Sequence, residues 1–191
     1  ALTPRFYFNN GNNEIYGNIN YSYYPNKYYG QLDFHLNTPE AYTENVLKSS
    51  IGATHNFIPL HFGRIQFVRN QFNILKTESN SQLSQLLQTN GFANSEQMTV
   101  SVGIDRDSRD YPMSPKSGHF LKNQIHFHKF KDLDNDQQVF FQSYDIDWRF
   151  YNSLSDKLVL VNQFFVGHLS KSEIPFQAMY SIGGNNSIRG Y

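Results

Sequence analysis

Residues 98–118 read M-T-V-S-V-G-I-D-R-D-S-R-D-Y-P-M-S-P-K-S-G, and this stretch decides the fold class. One face of its first half is apolar and carries Met98, Val100, Val102 and Ile104. Such a period of two is typical of a β-strand whose two faces differ. The second half is rich in charge, proline and glycine, as a turn requires, and a further strand-like run follows it. The stretch therefore predicts a strand, a long turn and a second strand.

The same alternation recurs along the chain and predicts an all-β protein. We draw about nine strands, at roughly 4–9, 14–24, 28–37, 46–57, 62–76, 97–105, 119–130, 138–151 and 157–169. Several reach about nine to thirteen residues, which suits a tilted membrane strand better than the usual globular strand. An apolar face opposite a polar one fits a lipid-facing wall around a wet lumen. A soluble β-sandwich, with its apolar face inward, gives the same alternation.

The predicted connections sort into two sides. Short ones lie at 25–27, 58–60 and 152–156, and longer ones at 9–13, 38–45, 77–97 and 131–137. Bacterial barrels have short periplasmic turns and longer external loops. The turn at 105–118 is long although it falls on the short side.

Three segments carry further local predictions. Residues 77–97 are interpreted as a polar mobile loop, in preference to a short helix through its leucines. The apolar face changes midway through residues 62–74, which predicts a bulge. Residues 158–166 are mostly apolar on both faces, so part of their inner face should be covered.

Composition narrows the class of protein without deciding it. Lys plus Arg and Asp plus Glu number 16 each, so no basic field predicts a nucleic-acid partner. Charged residues make up 17% and aromatic residues 16% of the chain, a balance that suits aromatic girdles but also a soluble sandwich. No apolar run approaches the ~20 residues of a membrane helix. No signal peptide stands at Ala1, so we expect the chain to begin inside the barrel.

A second motif lies at the end of the chain, where residues 181–191 read S-I-G-G-N-N-S-I-R-G-Y. Alone, such a glycine and asparagine cluster marks a turn in any β protein. Together with D-S-R-D-Y-P-M-S-P-K-S-G at 107–118, it resembles the superfamily of BamA, TamA and the bacterial surface-antigen barrels. That superfamily carries an arginine in a V-R-G-F/Y or I-R-G-Y tetrapeptide and a D-x-R-D…P-x-x-G turn. The resemblance rests on residues 98–191, and upstream on strand pattern alone.

The resemblance implies an antiparallel transmembrane β-barrel in the outer membrane of a Gram-negative bacterium. We expect residues 1–191 to form one partial barrel domain, about nine strands of about sixteen, with periplasmic domains and C-terminal strands outside it. A loop docked in the lumen would carry Gly183, Gly184, Ile188, Arg189, Gly190 and Tyr191. A periplasmic turn would be formed by Asp107, Arg109, Asp110, Pro115 and Gly118.

Arg189 is the residue to which the resemblance assigns a specific role. In the superfamily this guanidinium lies inside the barrel and pairs with acidic groups on strands after the loop. An arginine fork makes directional, charge-assisted bonds to a carboxylate in a shielded site. Asp145 or Asp147 could substitute for those later acidic groups only if they lie near the loop.

The remaining polar residues predict no catalytic chemistry. The chain has no G-x-S-x-G elbow, no Walker loop and no cysteine, so we expect neither an enzyme nor a cofactor. His126 and His128 place two imidazoles on one strand face, but no nearby set of ligands completes a metal site, and we interpret both as polar lumen residues. Asp145, Asp147 and Arg149 share a face and are interpreted as a lumen charge ladder.

Three functions remain open from the sequence. The first is a barrel that inserts or secretes proteins across the outer membrane without ATP. Its partners would be outer-membrane lipid, protein substrates or a secreted partner, and accessory lipoproteins. The second is a membrane-anchor barrel for a patatin-like phospholipase whose catalytic domain is absent. The third is a soluble β-sandwich binding module. Residues upstream of Ala1 would separate the first two, and detergent dependence would separate both from the third.

Overall fold

The computed structural model describes residues 1–31 and 34–180 of the chain. This part forms a single antiparallel sheet of eight strands that follow one another in sequence order. The strands are β1 (Arg5–Phe8), β2 (Asn13–Gln31), β3 (Phe34–Ile58), β4 (His61–Thr77), β5 (Asn94–Asp107), β6 (Gly118–Asp132), β7 (Gln138–Ser155) and β8 (Leu158–Leu169). A helix, α1 (Gln82–Asn90), lies between β4 and β5, and a 3-10 turn at Phe176–Ala178 follows β8.

This meander confirms the prediction of an all-β, antiparallel partial barrel. Every strand pairs with its neighbours in sequence, and β1 and β8 form the two edges of the described sheet. The two packed sheets that a β-sandwich requires are not found within residues 1–31 and 34–180. In the same residues, no helix is long and apolar enough to cross a membrane.

The nine strands drawn from the sequence correspond to eight in the described residues, because two proline-containing segments were interpreted as connections. Residues 25–27 lie inside β2 and residues 38–45 lie inside β3, where Pro25 pairs with Thr43. The two strands form one long hairpin that continues past the end of β4, since the last β4 residue, Thr77, pairs with Tyr42.

Pro25 is tolerated in β2 because of the edge that its nitrogen faces. Gly17 and Ile19 donate their N–H groups to Pro4 and Leu2, on the β1 side of the strand. Pro25 follows the same odd-numbered alternation, so its nitrogen also points away from β3. Beyond Ile19 the described chain places no strand on that side. The missing N–H therefore costs no ladder bond.

The meander places the connections at two rims. The turn rim carries residues 9–12, 59–60, 108–117 and 156–157, and the loop rim carries 78–93, 133–137 and the segment after β8. The connection at 9–12 was predicted on the side of the longer loops, and this was wrong, because losing one strand reverses the direction of β1. The long turn after β5 lies with the short turns, as predicted.

The two faces of the sheet differ as the alternation predicts. The outer face is apolar and exposed, for example at Ile65, Phe67, Val100, Val102, Ile104, Ile125, Phe127, Tyr144, Trp148 and Phe164. The inner face is polar at its centre and buried, for example at Gln97, Thr99, Ser101, Asp105, Gln124, Ser143, Asp145 and Asp147. An apolar wall against lipid and a polar lumen require this division.

No bulge lies midway in β4, contrary to the prediction. β4 pairs without interruption with β5 from His61 to Asn73. Its Phe72 and Ile74 point inward, where both pack against buried apolar clusters. The irregularity comes later, because Glu44 pairs with Ile74 and Thr43 with Lys76. The apolar pattern changes face because the inner face is apolar near the loop rim.

The outer face predicts a large penalty for a charge at Val102. This side chain is 43% exposed and is flanked by Ile65 and Ile125 on the adjacent strands. We expect Val102→Arg to destabilise the complete protein by ~2–4 kcal/mol if the site lies near the bilayer midplane. Val102→Leu is the matched control and should be nearly neutral. Folding titrations into bilayers measure both, and equal stability of the two variants would contradict a lipid-facing outer face.

Candidate functional site

The turn motif after β5 is held by an arginine fork. Arg109 donates through Nε at 2.8 Å and Nη2 at 2.6 Å to the two carboxylate oxygens of Asp107. Its guanidinium also lies 4.8 Å from the centroid of the Phe120 ring, on β6. Both charged side chains are half-buried, at 18% and 23% exposure, so this pair is better shielded than an ordinary surface pair.

Asp110 organises the rest of the turn. Its Oδ1 accepts the N–H groups of Tyr111 at 2.9 Å, Lys116 at 2.9 Å and Ser117 at 3.2 Å. The bonds from Lys116 and Ser117 hold the pKa of the Asp110 carboxyl below its usual range. The exposed carboxylate therefore acts as a staple across the turn. Pro115 lies half-buried directly before this pair of donors.

Gly118 closes the turn in a conformation that only glycine adopts readily. Its φ is +97°, and a Cβ there would lie 2.2 Å from the carbonyl oxygen of Ser108. The same serine pairs with His119 through Ser108 N–H to His119 O at 2.9 Å. The turn therefore requires a bare Cα at position 118.

Gly118→Ala should destabilise the complete protein clearly more than Gly11→Ala. Gly11 also has a positive φ, +83°, but a Cβ there meets nothing within 4 Å. Gly11→Ala should therefore lose only the free energy of backbone strain, about 1–3 kcal/mol. The additional loss of unfolding free energy in Gly118→Ala measures the clash with Ser108. Denaturant unfolding in micelles measures both. Equal destabilisation would mean that the turn relaxes around the added methyl group.

The centre of the inner face carries a buried ion pair that sequence reasoning missed. Asp105 is 0% exposed and accepts a hydrogen bond from Arg64 Nε, on β4, at 2.9 Å, and Arg64 Nη2 lies 2.8 Å from the same carboxylate oxygen. Arg64 Nη1 also donates to the Tyr16 hydroxyl on β2 at 3.3 Å. The three side chains connect β2, β4 and β5 across the inner face. The sequence shows that Asp105 is a charged residue on the polar face of a strand. It does not show that Arg64 is its partner, because that depends on the register between β4 and β5.

The two histidines of β6 belong to a polar network. His126 lies 2.6 Å through Nδ1 from the Ser101 hydroxyl and 2.6 Å through Nε2 from Asp145. His128 lies 2.9 Å through Nδ1 from Thr99 and 2.9 Å through Nε2 from Ser143. Every ring nitrogen thus has a protein partner. In the described part of the chain, no group of three or more potential ligands is arranged to hold a metal ion.

The carboxylates of β7 differ in their partners. Asp147 accepts bonds from Arg149, with Nη2 at 2.5 Å, and from Gln163 Nε2 at 2.9 Å. Asp145 binds His126, and the Tyr180 ring lies against Gly167, the β8 residue that pairs with Asp145. Asp145 is therefore next to the last described residue of the chain, whereas Asp147 already has an arginine.

The chain after β8 returns across the inner face, and we call residues 174–180 the strap. Its Ile174 is buried with Phe92, Phe130 and Phe141. Its Phe176 ring lies edge-on to Tyr28, at a centroid distance of 5.5 Å, and to Tyr42 at 6.0 Å. These contacts join the end of the described chain to the hairpin of β2 and β3 near the loop rim.

Two further contacts fix the strap. Gln177 Nε2 donates to the carbonyl oxygen of Phe92 at 2.9 Å. The Tyr180 ring lies edge-on to Phe165 of β8 at 5.7 Å, and a Cβ on Gly167 would lie 2.7 Å from it. Phe165 nevertheless stays 51% exposed and the inward Val161 54%, so the described residues leave most of the inner face of 158–166 uncovered, contrary to the prediction.

Helix α1 completes the packing at the loop rim, where a polar mobile loop was predicted. The Ser81 hydroxyl accepts the Ser84 N–H at 3.0 Å as an N-cap. The Glu40 carboxylate, on β3, accepts the N–H groups of Gln82 at 2.7 Å and Leu83 at 2.8 Å. Leu83 is fully buried with Tyr28 and Tyr42. The loop prediction was wrong because this second cap and the apolar contact come from a distant strand.

The predicted site residues Gly183, Gly184, Ile188, Arg189, Gly190 and Tyr191 lie outside the described residues. Asp107, Arg109, Asp110, Pro115 and Gly118 come together in one turn at the turn rim. The described residues thus form a polar inner face, against which the strap and α1 pack near the loop rim.

Comparison with known proteins places the chain in one family. A model described as the Omp85 superfamily domain matches residues 4–191. Searches of curated proteins and of solved structures find no match.

Proposed function

Since the chain belongs to the Omp85 superfamily, whose members are outer-membrane barrels for protein assembly or transport, we propose that it helps to insert or secrete proteins across the outer membrane without ATP. Members of the superfamily act on substrate proteins and work with accessory lipoproteins. We propose the same classes of partner for this chain, together with the lipid of the outer membrane. Residues 1–191 would then be part of a larger barrel domain.

The strap is the observation that supports this proposal most. It places Tyr180 on the inner face beside Asp145, at the start of the segment that carries the I-R-G-Y tetrapeptide. We propose that this segment docks in the lumen through Arg189, flanked by Gly183, Gly184, Ile188, Gly190 and Tyr191. The docked segment would be held to the polar wall by charge-assisted bonds from the Arg189 guanidinium. We further propose that the turn at 107–118 is periplasmic.

Reconstitution tests the proposed activity. The complete protein in liposomes should speed the conversion of an unfolded outer-membrane protein into its protease-resistant form, with no ATP present. Empty liposomes and liposomes that contain an unrelated barrel are the controls. The same rate in all three preparations would overturn the proposal.

Phe176→Ala should slow this conversion, because it removes the ring that holds the strap against Tyr28 and Tyr42. Losing a packed aromatic side chain costs about 3–5 kcal/mol when it is fully buried, and less here because Phe176 is half-buried. Phe176→Leu retains apolar contact and should keep most of the rate. If both variants insert substrate at the normal rate, the strap has no part in function.

The second candidate is the membrane anchor of a patatin-like phospholipase. The division into an apolar outer face and a polar inner face suits an anchor equally well, because both need a barrel wall. The complete protein should then hydrolyse phospholipid in a way that depends on residues upstream of Ala1. Lipase activity without faster substrate insertion would favour this candidate.

A further inference from the structure

We propose that the outer face carries, near the loop rim, a binding site for the phosphate groups of membrane lipid, formed by Arg69, Lys129 and Lys131. The inference rests on the outer-membrane setting proposed above and adds a ligand to a surface that protein assembly does not explain. The ligand class is a phosphorylated lipid of the leaflet on the side of the loops.

The register of three strands brings these cations together. Arg69 on β4 pairs with Met98 on β5, and Met98 pairs with Lys129 on β6. Two residues closer to the loop rim, Lys131 pairs with Glu96. Because side chains two apart share a face, all of these residues lie on the outer face with Val100 and Phe127.

The cations border the apolar band of the outer face. The next row toward the turn rim is Phe67, Val100 and Phe127, and all three are exposed. Lys129 Nζ lies 5.7 Å from the centroid of the Phe140 ring on β7. Long cationic side chains at such a border keep their stems on apolar surface and their charges at the headgroup level. A ligand there would have apolar tails below and an anionic group above.

The charge balance of the outer face favours an anion at this edge. Toward the loop rim β4 and β6 carry Arg69, Lys76, Lys129 and Lys131, whereas toward the turn rim the described strands carry Arg106. Among the outward residues of the described strands, Glu96 is the only one with a carboxylate, and it binds Arg69. Lys131 lies 2.6 Å from Asp136, whose side chain is 83% exposed. Such a surface pair is weak, so a phosphate can compete for the ammonium.

A lipid phosphate fits this position better than a protein carboxylate. Longer loops lie outside the cell in bacterial barrels, so the loop-rim edge meets the outer leaflet. Lysine and arginine make charge-assisted bonds to phosphate oxygens. The apolar row of Phe67, Val100 and Phe127 would hold the acyl chains of the same molecule.

Native mass spectrometry of the complete protein in detergent, titrated with diphosphorylated lipid A, tests the proposal. The double variant Lys129→Gln and Lys131→Gln should bind about thirtyfold more weakly, the change expected when two surface cations are lost. Arg106→Gln, on the same face at the other edge, should bind as the unchanged protein does. Retained heat-modifiable migration in gels would show that each variant is folded.

Two outcomes would overturn the proposal. One is equal lipid A affinity of the double variant and the unchanged protein. The other is displacement of lipid A by inorganic phosphate at the same concentration, because a free anion gains nothing from the apolar band. The double variant should still speed substrate insertion into liposomes, so failure of the lipid site and failure of the proposed function give different results.

Discussion

Asp105→Ala should destabilise the complete protein by about 3–5 kcal/mol, the usual effect of removing one partner of a buried ion pair. The carboxylate is fully buried, and Arg64, at 23% exposure, donates to it through Nε and holds Nη2 at 2.8 Å. Without the carboxylate, the Tyr16 hydroxyl is the hydrogen-bond partner that the guanidinium keeps among the described residues. Urea-induced unfolding in lipid bilayers measures the change.

Arg5→Ala is the matched control for this ion pair. Arg5 also binds a carboxylate, that of Glu14 at 2.5 Å, but its side chain is 57% exposed. Exposed pairs contribute about 1 kcal/mol or less. The double variant Asp105→Ala with Arg64→Met should recover part of the loss, because it removes both charges. If Asp105→Ala were no more harmful than Arg5→Ala, water would already reach the pair.

Arg189→Ala is expected to impair substrate insertion and to expose residues 181–191 to protease. If the segment docks in the lumen as proposed, the guanidinium is partly desolvated and its acidic partner loses its countercharge, at about 3–5 kcal/mol for deep burial. Limited proteolysis of the complete protein in liposomes, followed by mass spectrometry, locates the cuts. The strap should stay protected, because its apolar contacts do not involve Arg189.

Arg189→Lys should restore only part of the activity, because an ammonium cannot reproduce the planar fork. Asn185→Ala, in the same segment, should be nearly silent. Normal insertion and an unchanged protease pattern in Arg189→Ala would mean that the I-R-G-Y tetrapeptide belongs to an ordinary surface loop. The family membership would stand, and the docking proposal would fall.

The alternation of side chains was enough to predict most of the strands and the face on which their residues lie. Ile125 and Phe127 point outward and His126 and His128 inward because the period of two is a property of any strand. Pro25 led to the wrong prediction of a connection at 25–27. A proline interrupts a strand only where its nitrogen faces a paired strand, and the sequence of β2 alone does not show which of its edges is paired. Helix α1 was missed because Glu40, which caps it, lies on β3.

The candidate site was predictable in its residues but not in its bonds. The turn motif named Asp110 and Gly118, yet the three N–H groups on Asp110 and the approach of Ser108 to Gly118 appear only in three dimensions. Asp105 stands in the same alternation as Ser101 and Gly103, and only the register with β4 brings Arg64 to it. The spacing of residues along one strand does not show which residues they contact on a neighbouring strand.

The strap also bears on the order in which the protein folds. Each strand pairs with a neighbour that is close in sequence, whereas Phe176 contacts Tyr28 near the opposite end of the described chain. Closing so long a loop costs entropy that must be met before the contact forms. We therefore expect the strap to dock last, after the hairpin of β2 and β3 has joined the sheet. Protease resistance of the strap, followed during refolding, would then identify the molecules that have completed folding.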